Sequence, residues 1–168
     1  MPSSMDEGKG WMREQIRRID PKRVLDVGVG QGTYFDLVAA AGQHWTAIEI
    51  WEPYIERFGL RDRYEQVLVE DVRLHDWSDD AWDLVIFGDV VEHMTRDEAL
   101  AVWNAALAHS THVLLSIPIV FMPQGAAEGN PFEVHVETWT HEQCVALPGV
   151  VEYQRNPSIG CYLARGLG

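Results

Sequence analysis

Three glycines in a short stretch are the first residues whose type and spacing suggest a binding function. Gly28, Gly30 and Gly32 directly follow the apolar run 24–27, Val-Leu-Asp-Val. Glycine permits positive φ values and lets the backbone approach a ligand closely. Free N–H groups at a following helix start can donate to a polar ligand. The pattern predicts a cradle for a nucleotide-like molecule, and a tight strand-to-helix connection without a ligand is the alternative.

Asp26 indicates what kind of molecule would suit this cradle. A dinucleotide-binding fingerprint would place glycine or another small residue at position 33, where this chain has Thr33. A carboxylate two residues before Gly28 would repel a pyrophosphate group. It suits a ligand that carries an ammonium group and no phosphate. The turn therefore disfavours a nicotinamide-dependent enzyme.

Two further acids close the next predicted strands. Glu49 lies at the end of the strand predicted over 44–50, where a carboxylate can accept hydrogen bonds from both ribose hydroxyls. Asp71 follows the strand predicted over 65–69, where a carboxylate can meet an exocyclic adenine amine. The alternative for Asp71 is that it caps a helix or turn.

A cluster of two acids and a histidine follows the strand predicted over 82–87: Asp89, Glu92 and His93. Histidine titrates near neutral pH, so His93 is the best candidate for a general base. The alternative is that Glu92 and His93 only cap or line the next helix. Residues 118–141 are predicted to form a long loop and lid.

Strands and helices alternate along the chain, which predicts the scaffold that positions these residues. Apolar runs predict strands over 23–27, 44–50, 65–69, 82–87 and 111–117. A leading helix is expected within 1–20, from about residue 4. Further helices are expected over 33–42, around 54–58, over 95–108, and from 138 or 140 to 147. Two last strands, 150–154 and 159–164, predict an antiparallel hairpin at the sheet edge. We expect a doubly wound, mostly parallel seven-stranded α/β sheet, whose ligands bind at the carboxyl ends of the strands.

Length and charge restrict the partners. The 168 residues predict a single domain over 1–168, and the formal net charge is −13. No basic stripe is present, so a nucleic acid is a poor partner.

The cysteines and the absence of apolar runs indicate the compartment. Cys144 and Cys161 have no metal or redox spacing, which predicts free thiols and a reducing compartment. No run approaches the roughly 20 apolar residues of a membrane helix, and residues 1–7 carry no secretory pattern. We expect a cytoplasmic protein with no membrane segment, either a monomer or a homodimer.

These motifs together resemble the class I S-adenosylmethionine-dependent methyltransferases. Residues 24–32 are similar to their motif I, Glu49 and Asp71 match the acids after the second and third strands, and residues 82–93 match the strand-four motif. The resemblance covers about residues 22–117. It implies S-adenosylmethionine as the cofactor, a molecule with a sulfonium and an ammonium group but no phosphate. The implied cofactor-binding residues are Asp26, Gly28, Gly30, Gly32, Glu49, Asp71, Val72 and Asp89. Glycines 28 and 30 would pass the methionine part, Glu49 would hold the ribose, and Asp71 would hold the adenine with Val72 beside it.

The acceptor side is less specified. Stretches similar to residues 130–140 lie over the acceptor pocket in small-molecule methyltransferases, so the resemblance implies that Glu133, His135 and Trp139 close this pocket. Trp139 could equally anchor the following helix on the core. With no large insertion, the chain is expected to methylate a small molecule, for which a hydroxyl oxygen is one option, and His93, Glu92 and His135 are the expected catalytic residues. The D-x-x-E-H pattern of residues 89–93, with His135 or His141, also resembles the E-x-x-E-H pattern of two metal-dependent groups: the ubiquinone-biosynthesis O-methyltransferases and the small-RNA 2′-O-methyltransferases. Asp89 departs from that pattern, and no metal ligand is assigned. A non-catalytic module that binds S-adenosylmethionine is a further alternative, although a scaffold has no need for these acids.

Overall fold

The computed structural model describes residues 6–78 and 81–166, which form a single seven-stranded sheet. The strands run in the order β3-β2-β1-β4-β5-β7-β6. Their bounds are β1 Arg23–Val27, β2 His44–Ile48, β3 Gln66–Leu68, β4 Trp82–Gly88, β5 Ser110–Pro118, β6 Val150–Arg155 and β7 Ile159–Arg165. The first five strands are parallel, whereas β7 is antiparallel to both β5 and β6. This confirms the predicted fold class, including the antiparallel hairpin at the edge.

Five α-helices cover the two faces of the sheet within the described ranges. They are α1 Lys9–Ile19, α2 Thr33–Val38, α3 Glu52–Arg57, α4 Arg96–Ala108 and α5 His141–Val145. Four short 3₁₀ turns occupy Leu60–Asp62, Val72–Leu74, Val91–His93 and Pro131–Glu133. None of the helices in these ranges is both long and apolar enough to cross a membrane.

Two apolar clusters explain why the central strands read as nearly continuous hydrophobic runs. One cluster packs β4 and β5 against α4 and α5 around Trp103, and the other packs β1 and β2 against α1 and α2 around Met12. Strands that are covered on both faces cannot alternate polar and apolar residues. Asp26 is a charged exception among these runs, since it is only 1% exposed inside β1.

Several helix bounds differ from the sequence predictions, including the end of α5 at Val145 rather than residue 147. Three of the differences have a local cause. α1 begins at Lys9, after Gly8 at φ 81°, and residues 4 and 5 of the predicted helix lie outside the described residues. α2 ends at Val38, because Ala39 turns to φ −54° and ψ 131° and leaves the helical region. α5 begins at His141, because Thr140 is its N-cap and accepts a hydrogen bond from the Gln143 backbone.

Candidate active site

A cavity of about 270 Å³ opens at the carboxyl ends of β1, β2 and β4. The neighbouring strands β2 and β4 both pair with β1 in parallel, so the loops that follow all three strands converge there. Ten of the eleven residues predicted for the site line this cavity: Asp26, Gly28, Gly30, Glu49, Asp71, Val72, Asp89, Glu92, His93 and His135.

Hydrogen bonds from Gly28 and Gly30 hold the glycine turn in place. Gly28 has φ 62°, and a Cβ atom there would lie 2.6 Å from Cγ2 of Val90. Its N–H donates to the carbonyl of Ile48 at 2.8 Å. The N–H of Gly30 donates to Oε2 of Glu49 at 3.0 Å. The turn therefore needs glycine at position 28 both for its positive φ and for the space that Val90 fills.

Gly32 is the one predicted cofactor residue that does not line the cavity. It lies at φ 80° just before α2, and its carbonyl accepts a hydrogen bond from Nη2 of Arg63 at 2.9 Å. The Arg63 guanidinium fills the space where a side chain at position 32 would lie, since a Cβ atom there would be 2.5 Å from Nη2. Gly32 thus shapes the start of α2, where its carbonyl is bound by Arg63.

Asp26 is fully buried, and its side chain accepts a hydrogen bond from Tyr64. The Tyr64 hydroxyl donates to Oδ2 of Asp26 at 2.7 Å. Burial raises the pKa of Asp26 to about 7, and the hydrogen bond from Tyr64 opposes that shift. A cationic group in the cavity would favour the carboxylate form, so Asp26 is suited to pairing with an ammonium group.

Glu49 connects the end of β2 to the glycine turn. Its side chain is 4% exposed, and it accepts hydrogen bonds from the N–H groups of Gly30, at 3.0 Å, and Trp51, at 2.8 Å. Burial raises the pKa of this carboxyl group, and the two backbone hydrogen bonds act in the opposite direction. The carboxylate is thereby fixed in orientation at the cavity wall.

Asp71 performs the turn-capping role and also lines the cavity. Its Oδ1 accepts from the backbone N–H of Arg73 at 3.0 Å, and its two oxygens accept from Nε, at 2.9 Å, and Nη2, at 2.5 Å, of the same residue. The side-chain hydrogen bond from Arg73 lowers the pKa of Asp71. Arg73 continues to Glu98 at 2.9 Å and lies in the cavity wall itself.

Asp89 follows β4 in a left-handed backbone conformation, at φ 56°. Its N–H donates to the Ser116 carbonyl at 2.8 Å, so β5 holds this corner in place. Non-glycine residues adopt this conformation at an energetic cost, and such residues cluster at functional sites.

Glu92 is the most unusual group in the cavity. It is 2% exposed, and neither carboxylate oxygen has a hydrogen-bond partner among the described residues. Burial, together with the nearby charge of Asp89, raises its pKa well above the ordinary value. Its backbone carbonyl accepts from the N–H groups of Val136, at 2.8 Å, and Glu137, at 3.0 Å. These bonds dock the segment after the long loop beside the 3₁₀ turn.

His93 and His135 meet because of that docking, with ring centroids 5.0 Å apart. Nδ1 of His93 lies 3.0 Å from the Val134 carbonyl, and Nδ1 of His135 lies 2.6 Å from the Met122 carbonyl. A carbonyl oxygen can only accept, so Nδ1 carries a proton in both rings. When His93 is neutral, its lone pair is therefore on Nε2. Burial lowers the pKa of His93, which keeps the ring neutral and able to accept a proton.

Two other candidates lie away from the cavity. Trp139 is 3% exposed in the core, and the Arg96 guanidinium lies 4.5 Å from its ring centroid. Of the two alternatives for Trp139, its position agrees with the one in which it anchors the following helix on the core. Nδ1 of His141 lies 2.8 Å from the Tyr162 hydroxyl on β7. The second histidine beside His93 is therefore His135.

Sequence reasoning missed three residues of the site. Tyr64 binds Asp26 across 38 positions of sequence, which no local pattern indicates. Tyr34 lines the cavity, and its ring occupies the space beside Gly88. Arg73 was the easiest of the three to predict, because it lies only two residues after Asp71, the acid that it binds.

Charge in the cavity wall is strongly one-sided. Among the described residues, seven carboxyl groups line it against a single guanidinium, that of Arg73: Asp26, Glu49, Glu70, Asp71, Asp89, Glu92 and Glu133. Burial raises the pKa of four of these groups, Asp26, Glu49, Glu92 and Glu133. A cation bound in the cavity would favour their carboxylate forms, whereas a phosphate would meet a single guanidinium. The cavity therefore suits a cationic ligand of nucleoside size.

Comparisons with known proteins identify related sequences and folds. The methyltransferase domain family matches residues 25–115, more than half of the chain. A ubiquinone biosynthesis O-methyltransferase of Bordetella parapertussis is 29% identical over 106 residues, which cover 59% of this chain and 43% of that protein. The chain thus spans less than half the length of that relative.

Solved structures share the fold across almost the whole chain. The 1,6-didemethyltoxoflavin-N1-methyltransferase of Burkholderia thailandensis, solved with S-adenosylhomocysteine, has a TM-score of 0.71 at 19% identity, covering 99% of this chain and 80% of its own. The N-terminal domain of EvdMO1, also solved with S-adenosylhomocysteine, has a TM-score of 0.70 at 14% identity, covering 97% and 82%. At these identities the likeness concerns the fold.

Proposed function

This chain belongs to the methyltransferase domain family of class I S-adenosylmethionine-dependent proteins, and from that premise we propose that it transfers a methyl group from S-adenosylmethionine to a hydroxyl group of a small molecule. The observation that carries this proposal is the cavity wall of seven carboxyl groups and one guanidinium. The donor is a nucleoside with a sulfonium group, an ammonium group, one carboxylate and no phosphate, so its net positive charge complements that wall.

Donor binding is assigned to the glycine turn and the acids around it. Gly28 and Gly30 approach the methionine part, and Asp26 pairs with its ammonium group. Glu49 accepts from the ribose hydroxyls with a carboxylate already oriented by Gly30 and Trp51. Asp71 receives the adenine amine while Arg73 holds it, and Asp89, which lines the same cavity, is also assigned to the donor.

His93 is assigned the role of general base, with His135 and Glu92 beside it. Methyl transfer is an in-line displacement: the acceptor oxygen forms a bond to the methyl carbon as the carbon–sulfur bond breaks and its electron pair stays on sulfur. The hydroxyl proton passes to Nε2 of His93, which carries the lone pair of the neutral ring because Nδ1 donates to Val134. Alignment of donor and acceptor supplies much of the acceleration, and a positioned base typically adds 10²–10⁴-fold.

The relatives support a small acceptor. The Burkholderia thailandensis enzyme was solved with 1,6-didemethyltoxoflavin, and the Bordetella protein is named for O-methylation in ubiquinone biosynthesis. A hydroxyl acceptor agrees with the second of these names and with the neutral imidazole of His93 in the cavity.

Methyl transfer from isotope-labelled S-adenosylmethionine tests the proposal. A panel of small phenols and alcohols would be incubated with the protein, and labelled products would be separated by chromatography. We expect label in at least one hydroxyl compound, with a rate at least 100-fold lower in His93→Ala. Label that enters only amines, or an unchanged rate in the variant, would contradict the assignment.

A divalent cation at the acceptor site is a second candidate, and we propose it on one specific observation. Glu92, His93 and His135 each offer one ligand atom, and these atoms lie within 4.8 Å of one another. Glu92 has two buried oxygens without partners among the described residues, and both imidazoles have Nδ1 tied to a carbonyl, an arrangement that is typical of metal-binding histidines. When bound, Mg²⁺, Mn²⁺ or Fe²⁺ would lower the pKa of an acceptor hydroxyl.

Chelation distinguishes the two versions of the site. The protein would be dialysed against a chelator and then titrated by calorimetry with Mn²⁺, alongside Glu92→Gln. Binding of Mn²⁺ to the native protein that is lost in the variant supports the metal site. Methyl transfer that persists after dialysis, with no Mn²⁺ binding, would leave His93 as base without a metal.

A further inference from the structure

Three of the seven carboxyl groups in the cavity wall have no role in donor binding: Glu70, Glu92 and Glu133. Glu70 already lies beside a histidine, since its Oε1 is 2.5 Å from Nδ1 of His75. The donor therefore leaves Glu92 and Glu133 unexplained.

Glu92 is a buried carboxyl group that lines the cavity without a hydrogen-bond partner for its side chain. It is 2% exposed, and none of the described residues donates to either of its oxygens. A buried polar group that lacks a partner destabilises the protein. A hydrogen-bond donor on a molecule in the cavity would remove that cost.

Glu133 belongs to the loop that borders the cavity, and its partner is neutral. Its Oε2 accepts a hydrogen bond from Nε2 of Gln124 at 3.1 Å. The two other acids of residues 118–141 are each paired with an arginine: Glu128 with Arg57, and Glu137 with Arg96. Glu133 is thus the acid of this loop that lines the cavity and has an amide as its partner.

Glu92 lies close to Glu133 and to the assigned base. Burial, the charge of Asp89 and then the charge of Glu133 raise the pKa of Glu92. A carboxylate oxygen of Glu92 and ring nitrogens of His93 and His135 lie within 4.8 Å of one another. An ammonium group has three donors and a positive charge, so it satisfies a buried carboxylate and reduces the repulsion from a second one.

We propose that the acceptor carries an ammonium group in addition to its hydroxyl group, and that Glu92 and Glu133 bind this cation while the hydroxyl meets His93. The inference rests on the proposed function, because it takes the position of the hydroxyl from the assigned base. The bound ammonium group has no lone pair, so the methyl group still goes to oxygen. The substrate class is thus a hydroxylated amine, such as a phenol with an aminoalkyl substituent.

Calorimetric titration with pairs of phenols tests this inference. The pairs are tyramine with 4-propylphenol, and 3-(aminomethyl)phenol with 3-ethylphenol, whose members have nearly the same shape and differ in charge. Every titration would contain saturating S-adenosylhomocysteine and a chelator, so that no metal ion occupies Glu92. A hydrogen bond to a charged group tightens binding by about tenfold or more. At least one amine should therefore bind at least about tenfold more tightly than its uncharged counterpart.

Substitutions by glutamine assign the effect to the two acids. Glu133→Gln and Glu92→Gln each remove one charge and keep nearly the same shape, and each should lower the affinity ratio within that pair at least about threefold. The matched control is Glu56→Gln, which removes an exposed carboxylate of α3 outside the cavity wall and should keep the full ratio.

Each outcome decides the inference. Equal affinities within both pairs, tighter binding of the uncharged phenols, no binding of any of the four, or an unchanged ratio in either glutamine variant would overturn it. Failure of the proposed function would appear separately, as an absence of S-adenosylhomocysteine binding before any phenol is added.

Discussion

Replacing Asp26 by Asn tests how the buried acid affects stability. Asp26 is 1% exposed, and its pKa is raised from 3.8 to about 7, mainly by burial. One pKa unit corresponds to about 1.4 kcal/mol. The ionised carboxylate therefore destabilises the folded protein by up to about 4 kcal/mol at pH values above 7. Asn has nearly the same shape, can still accept from Tyr64 and carries no charge, so Asp26→Asn should recover most of that amount.

The stability difference between Asp26→Asn and the native protein should grow as the pH rises. Because the folded pKa lies above the unfolded value, the folded protein binds the proton more tightly than the unfolded chain. The stability that this proton provides is full below pH 4 and is lost as the pH rises through 7. The advantage of Asp26→Asn should therefore be about 4 kcal/mol near pH 8 and only about 2 kcal/mol near pH 5.

Urea unfolding at both pH values measures this advantage. The exposed Asp62 provides the control, since Asp62→Asn should change stability by less than about 0.5 kcal/mol. An Asp26→Asn variant that is less stable than the native protein at pH 8, or whose advantage does not grow with pH, would refute the reasoning. The same variant should bind S-adenosylmethionine at least tenfold more weakly, because the partner of the ammonium group has lost its charge.

Three further substitutions probe the turn, the ribose acid and the base. Glu49→Ala removes a carboxylate that two backbone N–H groups orient, so calorimetry should show donor affinity reduced at least about tenfold; unchanged affinity would reject the assignment. His93→Ala should lower turnover about 10²–10⁴-fold and leave donor affinity nearly intact, and equal turnover would make His93 a structural residue. Gly28→Ala should cost about 1–3 kcal/mol in urea unfolding, because its Cβ would lie 2.6 Å from Val90. Gly42→Ala, also at positive φ but with open space, should cost less, and equal costs would contradict the steric explanation.

The sheet could be predicted from the sequence because its signals are local. Runs such as 82–87 are apolar on both faces, and their alternation with helical segments leaves few topologies. The glycines at 28 and 30 and the acids that close the strands likewise follow from their place at the carboxyl ends. Helix bounds were less accurate because single residues decide them: Ala39 leaves the helical region, and Thr140 caps the last helix.

The parts of the site that the sequence did not predict depend on contacts between distant segments. Asp26 was predicted as a charged partner of the ligand, but its hydrogen bond from Tyr64 comes from a turn 38 residues away. For Asp71 the sequence left two alternatives, a ligand-binding residue and a turn cap. In the structure it caps a turn through its hydrogen bond with Arg73 and also lines the cavity. The meeting of His93 with His135 depends on two backbone hydrogen bonds to the Glu92 carbonyl, which no composition or spacing reveals.

Binding of the donor is the central claim, and a calorimetric titration measures it most directly. The native protein would be titrated with S-adenosylmethionine and, separately, with NAD⁺, a dinucleotide that carries phosphates. The acidic cavity wall predicts one-to-one binding of S-adenosylmethionine that is weakened in Glu49→Ala, and no measurable binding of NAD⁺. Absence of S-adenosylmethionine binding, or tighter binding of NAD⁺, would contradict the assignment of this cavity to the methyl donor.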